Sequence, residues 1–434
     1  MMSTHRLKGT LLGLFVALFV ASGGALALPG EDGKSVAAVG APAAIAAPPM
    51  SDFIEIRIDD RENQSPSVAY NDRLNEYLVV WEEHIHGGEV AIYGRRVAGN
   101  GSPMGPAFAV WHVQNEQHSW PDVAYCPKSG NYLVVWSYKH SATDTDIHGR
   151  LIGGSGQPGN HLAIDGGLDR DGYPAVACST QADEFLVVFE KYIGTTRRDI
   201  EAWRVGASNG SLETWRNIAG GANQVRRLPD VAYNRARNEY LIAYTFQASP
   251  TAGGDIVGRR SSFNMGWLSS EFYISPTGYP PQDGVALAGG PDEYMAVWDE
   301  DHGATTYSIW GRRVRGDGGL ESFIQVAHDT GQKHVEPAVA FGDGGHYLVP
   351  WRHIAGAHPA WDIYGRMVSP SSNAPDGVQF PIDAWPSAQK VPAVACAPSG
   401  PCLVAYEDEW PGPDYEIRGR LVGHARAFLP LLKR

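Results

Sequence analysis

An all-β fold of repeated, radially stacked sheets is what this sequence predicts, and three observations predict it. First, the stretch at residues 66–97 (PSVAYNDRLNEYLVVWEEHIHGGEVAIYGRRV) recurs six more times. Its opening valine falls at Val68, Val123, Val176, Val231, Val285, Val339 and Val394, at spacings of 55, 53, 55, 54, 54 and 55 residues. A fixed period of this length marks a repeat architecture. Second, the YLVVW segment is apolar at consecutive positions, which means burial on both faces. Short turns such as Asn71–Asn75 nevertheless join neighbouring segments as antiparallel hairpins. With no helix to cover such a sheet, its own copies must do so, and four-stranded propeller blades stacked around an axis achieve this. A solenoid would need a shorter period, and a sandwich would leave one strand face polar. Third, Phe53–Ile58 (FIEIRI) has the pattern of a fourth strand but precedes the first repeat, whereas the last repeat has no fourth strand of its own. The N-terminal strand can complete the last sheet and remove its edge. The expectation is a seven-bladed β-propeller of four-stranded antiparallel blades over residues 53–422, closed by that strand.

Each repeat resolves into four elements. The first is the VAY strand, preceded two residues earlier by Pro66, Pro121, Pro174, Pro229, Pro337 and Pro392, since proline is tolerated where a strand begins. The second is Tyr77–Trp81 and its copies Tyr132–Trp136, Phe185–Phe189, Tyr240–Tyr244, Tyr294–Trp298, Tyr347–Trp351 and Cys402–Tyr406. The third surrounds Ile92, Ile147, Ile200, Ile256, Ile309, Ile363 and Ile417. The fourth is a short segment at Phe108, Phe272 and Phe323, degenerate near Leu162, Trp215 and Phe380.

Composition sets further bounds. The 434 residues carry a formal charge of −13, with 43% hydrophobic residues, 51 Gly and 30 Pro. That suits a turn-rich core protein and argues against nucleic acid, which needs a basic face. Arg6, Lys8, the apolar run Leu11–Val20 and Ala25-Leu26-Ala27 read as a cleaved signal peptide over residues 1–27. The run is short of a membrane span, so a secreted or cell-surface monomer is expected with no span after cleavage. Losing Arg6 and Lys8 takes the charge from −13 to −15. Residues 28–52 read as a flexible Ala/Pro-rich linker. Residues 423–434 fit no repeat and form an apolar tail with a basic end.

The P-x-VAY, YLVVW and IYGRR segments resemble repeats of secreted bacterial β-propeller proteins, most without an assigned activity. The resemblance covers residues 53–422 and implies the propeller fold but no site residues. The Trp-Asp ending, the Asp-box and the double Gly of better-known propeller repeats are not present.

Several repeated residues read as scaffold. Gly-Arg recurs at Arg95, Arg150, Arg259, Arg312, Arg366 and Arg420, with Trp203 in the third repeat. Setting Trp81 opposite Ala91 places Glu76 opposite Arg96, and likewise Glu184 and Arg204, Glu239 and Arg260, Glu293 and Arg313. Where Glu is replaced by Asn131, His346 or Pro401, the partner is Leu151, Met367 or Leu421. Glu and Arg come and go together, as cross-strand pairs should. Cys396 and Cys402 lie on one hairpin and can form a disulfide; Cys126 and Cys178 lie on adjacent first strands, where a bond or buried thiols are both open.

Function should lie where the copies differ. The loops after the second strands differ most, beginning at Glu82, Ser137, Glu190, Thr245, Asp299, Arg352 and Glu407. They share a rim with the segments leading into the first strands, which carry His118, Trp120, Tyr173, Arg226, Arg227, Tyr279, His334 and Glu336. The leading expectation is a binding or interaction scaffold for a glycan or protein, with Trp120, Tyr173, Glu336, Glu82, His84, Asp299 and Glu300 as ligand-binding residues. Glu82, Glu83, His84 and His86, or Asp299, Glu300 and Asp301, could hold a cation such as calcium. No other cofactor and no catalytic residue is expected. The alternative is a carbohydrate-active hydrolase or lyase using rim carboxylates, with Asp122, Asp230, Asp283 and Glu336 as the set that could supply a hydrolase's two carboxylates.

Overall fold

The second strand of each repeat is the most deeply buried segment of the molecule. In the computed structural model, Tyr77, Leu78, Val79, Val80 and Trp81 are all fully buried, as are Tyr132, Leu133, Val134, Val135 and Trp136. The structure describes residues 47–423 apart from His86, Pro276, Ala304, Asp343, 355–360 and 410–413. The signal peptide, most of the linker and nearly all of the tail expected from the sequence lie outside the described residues.

Every element of regular structure among the described residues is a strand, and no helix is long and apolar enough to cross a membrane. The first repeat pairs Glu62–Asn71, Glu76–Ile85, Glu89–Ala98 and Pro103–Trp111 in antiparallel sequence order. The next five repeats reproduce this order. The fourth repeat shortens its last strand to Phe272–Tyr273, and the sixth splits its first strand into Lys333–Val335 and Ala340–Gly342. The seventh repeat supplies Gln389–Cys396, Cys402–Asp408 and Glu416–Val422. Its fourth partner is Ile54–Arg57, antiparallel to Glu416–Val422 with Ile54 opposite Gly419. Met50 bridges Val422 and the Ser51 N–H donates to the Leu421 carbonyl at 2.9 Å, so pairing begins within the expected linker.

The two faces of each second strand pack against different neighbours. Tyr77, Val79 and Trp81 join Ile54, Ile56, Leu403 and Ala405, linking the first repeat to the seventh. Leu78 and Val80 join Tyr132, Val134 and Trp136 of the second repeat. Five further clusters link the second repeat to the third, the third to the fourth, and so on to the seventh. The architecture is all-β and propeller-like: copies cover copies, as the uninterrupted apolar strands require.

Two details of the sequence reading need correction. Trp81 stands opposite Tyr93, not Ala91, and Glu76 opposite Ala98. The hairpin register is shifted by two residues, and the Glu–Arg pairs form diagonally. Arg96 Nε and Nη2 donate to Glu76 Oε1 and Oε2 at 2.7 and 2.6 Å. Arg204 pairs with Glu184, Arg260 with Glu239 and Arg313 with Glu293 in the same way. These arginines also reach carbonyls of the next repeat, Arg96 that of Ser155 at 2.9 Å and Arg260 that of Gly316. The second correction is in the fifth repeat. Leu287, not Val285, occupies the position of Val68, because Ala286 pairs with Val297 as Ser67 pairs with Val80. Val285 stands in the proline slot.

The Gly-Arg arginines perform a separate task. Arg150 Nη1 donates to the Val110 carbonyl of the preceding repeat at 2.8 Å, and its Nε to Gly159 of its own repeat at 2.9 Å. Arg95, Arg312 and Arg366 make the same two-way link, and the Arg420 Nη1 reaches Ile382 at 2.7 Å. Trp203 donates instead to Asp165 of the preceding repeat at 2.9 Å. Disulfides join Cys126 to Cys178, bridging the second and third repeats, and Cys396 to Cys402 within the seventh.

Candidate functional site

The rim is built by a bulge in the early part of each first strand, which in the sixth repeat divides the strand in two. Ser65, Trp120, Tyr173, Leu228, Gly284, Glu336 and Val391 occupy equivalent positions with φ of 51°, 56°, 51°, 51°, 61°, 54° and 46°. Only one is glycine, although left-handed backbone costs an L-residue about 1–2 kcal/mol. The compensation is visible in four places, where the turned N–H donates to a carboxylate at the end of the preceding repeat's second strand, buried at Glu82, Glu190 and Glu407 and half-buried at Asp299. Trp120 donates to Glu82 at 2.7 Å, Leu228 to Glu190 at 2.6 Å, Glu336 to Asp299 at 3.2 Å and Ser65 to Glu407 at 2.8 Å. Burial pushes the carboxyls of Glu190, Asp299 and Glu407 up to about 7, against the pull of those N–H groups.

This geometry locates the residues singled out from sequence. Trp120 is 46% exposed and its ring lies 5.1 Å from that of Tyr173, so the two form an aromatic step. Glu82 is buried beneath Trp120, and His84 sits beside it with Nε2 3.7 Å from Glu82 Oε2, which raises the imidazole's pKa. Asp299 and Glu336 form a second group, where Glu336 Oε1 is 2.8 Å from Arg352 Nη1. Glu300 is buried and engaged by Gln282 at 3.1 Å and His302 at 3.3 Å. Glu83 is fully buried against Arg57 and Arg61. The hydrolase candidates are likewise occupied. Asp122 accepts from Ser67 Oγ and the Val176 N–H, Asp230 from the N–H groups of Val231 and Leu287, and Asp283 pairs with Arg227 at 2.7 Å.

A recess of distinctive chemistry lies on this rim over the second to fourth repeats. It is a groove of about 760 Å³ lined by Leu168, Asp169, Arg170, Tyr192, Arg197, Arg198 and Arg227, among others. Two guanidinium groups lie over the Tyr192 ring, Arg170 at 4.6 Å and Arg198 at 4.3 Å from its centroid. Arg198 is shared with Glu190 at 3.3 Å, while Arg170 makes no ion pair among the described residues. Arg198, Arg170 and Arg227 all act electrostatically on Tyr173, whose pKa is raised mainly by burial, so the aromatic step adjoins the groove. Four arginines converge here on a chain of net charge −13.

Behind the groove lies a histidine cluster in the second repeat. His118 is fully buried and stacks on Tyr138 at 5.0 Å. His148 Nδ1 is 3.1 Å from His161 Nε2, and His140 Nε2 is 2.6 Å from Asp146 Oδ2. Burial and neighbouring imidazoles hold His118 down to about 4 and His148 to about 3. The site reading from sequence passed over Arg170, Tyr192, His140, His148 and His161, and named His118 only as one of the rim residues. The signal was present in the loops starting at Ser137 and Glu190, which hold His140, Tyr192, Arg197 and Arg198, but their partners are strands away in sequence.

No family model and no curated protein matches the chain. Among solved structures it is similar to the polysaccharide lyase Uly1, at 9% identity and a TM-score of 0.56, covering 86% of this chain and 99% of that one. It is also similar to a protein of unknown function from Dyadobacter fermentans, at 9% identity and a TM-score of 0.53, covering 88% and 100%. The β-propeller domain of the trilobed protease from Pyrococcus furiosus aligns with a TM-score of 0.49 at 8% identity, covering 82% and 94%. At these identities the likeness to the lyase and to the Dyadobacter protein is one of fold alone.

Proposed function

We propose that the chain is an exported, seven-bladed, closed propeller that acts on an acidic polysaccharide through the arginine groove. Seven inter-repeat cores, one of them linking the seventh repeat to the first through Ile54 and Ile56, support the ring. The apparent signal segment and two disulfides support export to an oxidising compartment. The observation that carries the functional reading is the pair of guanidinium groups, Arg170 and Arg198, stacked on the Tyr192 ring, with Arg227 in the same groove lining. Guanidinium groups suit carboxylate or sulfate substituents, and the Trp120–Tyr173 step offers faces for sugar rings.

Cleavage by elimination fits these groups better than hydrolysis. A hydrolase needs two available carboxyls flanking the scissile bond, whereas Glu82, Glu190, Asp299 and Glu407 each hold the backbone of the next repeat. Elimination needs a base to take the proton α to a uronate carboxylate and an acid to protonate the departing glycosidic oxygen, roles the Tyr192 phenol of the groove can fill in turn, and cations beside that carboxylate stabilise the enolate that forms. The fold shared with a polysaccharide lyase is consistent with this chemistry.

The test is incubation of the mature chain with uronate-bearing and neutral polysaccharides, following chain shortening and the ultraviolet absorbance of unsaturated ends. Cleavage of uronate polymers, reduced at least tenfold in Arg198→Ala, is expected. Binding of acidic glycans without turnover would return the protein to a binding scaffold. Action confined to neutral glycans would overturn the groove assignment.

A further inference from the structure

The second repeat departs from the other six beside the groove. Opposite Trp136, its third strand carries His148, where the equivalent residues are Tyr93, Glu201, Val257, Trp310, Tyr364 and Arg418. Asp146, two residues earlier, shares the face of His148 because side chains alternate along a strand. The loop before it folds back, with the N–H groups of His140 and Ser141 both donating to the Asp144 carbonyl at 3.0 Å. That places His140 over the pair, and one potential ligand atom from each of His140, Asp146 and His148 lies within 4.8 Å of the others. Among the described residues no other three His, Cys, Asp or Glu side chains converge in this way.

The surroundings hold the donors in place. The Gly167 N–H donates to Asp146 Oδ1 at 3.2 Å, and His161 Nε2 meets His148 Nδ1 at 3.1 Å. Outer hydrogen bonds of this kind orient a carboxylate and fix an imidazole's tautomer around a metal. The His140 side chain is 41% exposed, so one side of the cluster opens to solvent.

We propose that His140, Asp146 and His148 form a zinc site with an open coordination position. Two imidazole nitrogens and one carboxylate suit a borderline ion such as zinc, whereas calcium and magnesium take oxygen donors. The acidic loops expected to hold calcium spend their carboxylates elsewhere: Glu82, Asp299 and Asp301 on backbone N–H groups, Glu83 on arginines and Glu300 on Gln282 and His302. Asp146 anchors Gly167, and the residues that follow, Leu168, Asp169 and Arg170, form a wall of the groove. A metal here therefore lies behind that wall. The proposal stands independently of which glycan, if any, the groove takes.

The experiment uses chelator-treated protein, zinc alone as the probe, and isothermal titration with metal analysis after dialysis. About one zinc per chain is expected, undisplaced by a tenfold excess of calcium. His148→Phe, which restores an aromatic residue as at Tyr93, Trp310 and Tyr364, should weaken binding at least 100-fold. His140→Ala, at an exposed loop position, should do so too and covers the case in which His148→Phe fails to fold. Cobalt-loaded protein should show the visible absorption of a low-coordinate site, lost in both variants. No zinc uptake by the wild type, displacement by calcium, or unchanged zinc affinity in His140→Ala would overturn the assignment.

Discussion

The two ends of each sheet solve one problem in opposite ways. At the end holding Glu76 and Arg96, the same solution recurs in four repeats: a carboxylate and a guanidinium on neighbouring strands, with further links to the next repeat. At the rim end, the position two residues past the aromatic residue that closes the apolar run has a different set of partners in each repeat. It is Glu83 against Arg57 and Arg61, Tyr138 against His118, Lys191 against Asp165 and Asp171, and Phe246 under Arg226. It is then Glu300 with Gln282, His353 with His334, and Asp408 with Gln389 and Arg418. Where this position is polar and buried, as at Glu83, Glu300, His353 and Asp408, it must be satisfied, but nothing requires it to be satisfied identically. Repetition at one end marks assembly; individuality at the other leaves groups that chemistry can recruit.

The largest expected effect breaks the uniform end. Glu239→Ala strands Arg260, which is only 9% exposed, and should lower unfolding free energy by about 3–5 kcal/mol. Glu184→Ala, whose pair is more open to solvent, should cost about 1 kcal/mol. Chemical denaturation of both variants reads the difference, and equal losses would remove burial as its cause.

The next tests the individual end through pH. Glu190 titrates at about 7 in the folded chain, above an unfolded value near 4.3. Between those values the folded state holds more protons than the unfolded one. The associated stability is therefore complete below pH ~4 and is lost as pH rises through ~7. Glu190→Gln keeps an acceptor for the Leu228 N–H and should gain on wild type by on the order of 2 kcal/mol from pH 5 to 8. A pH-independent difference in melting would contradict the raised carboxyl. The smallest effect sharpens the contrast: Trp120→Ala should weaken binding of an acidic glycan by more than about 1 kcal/mol and leave stability unchanged. Loss of stability without loss of binding would make the aromatic step part of the scaffold.

The propeller-like fold was legible because seven copies average out local ambiguity, and the fully buried Tyr77–Trp81 run admits few other architectures. The errors arose where counting replaced geometry. Nothing in the residues between Trp81 and Tyr93 fixes how many the turn consumes, and a valine in the proline slot drew the fifth repeat's alignment two residues early. The rim was harder to read. Glu82 and Asp299 appear in the sequence as free acids, since their partners are backbone N–H groups 38 and 37 residues away. The D-x-H of Asp146 and His148 is written openly in one strand, but His140 joins it only through a loop whose fold the sequence does not declare.

The left-handed residue early in each first strand has one more consequence. In four repeats a backbone N–H, indifferent to the side chain attached, fastens that residue in place. The position has accepted Trp, Tyr, Leu, Glu, Val, Ser and Gly without altering the turn. The rim is thus a seven-character address written on a frame that does not read it. Point substitutions can rewrite the address one character at a time, so a lineage carrying this frame can explore new ligands by spelling rather than by refolding.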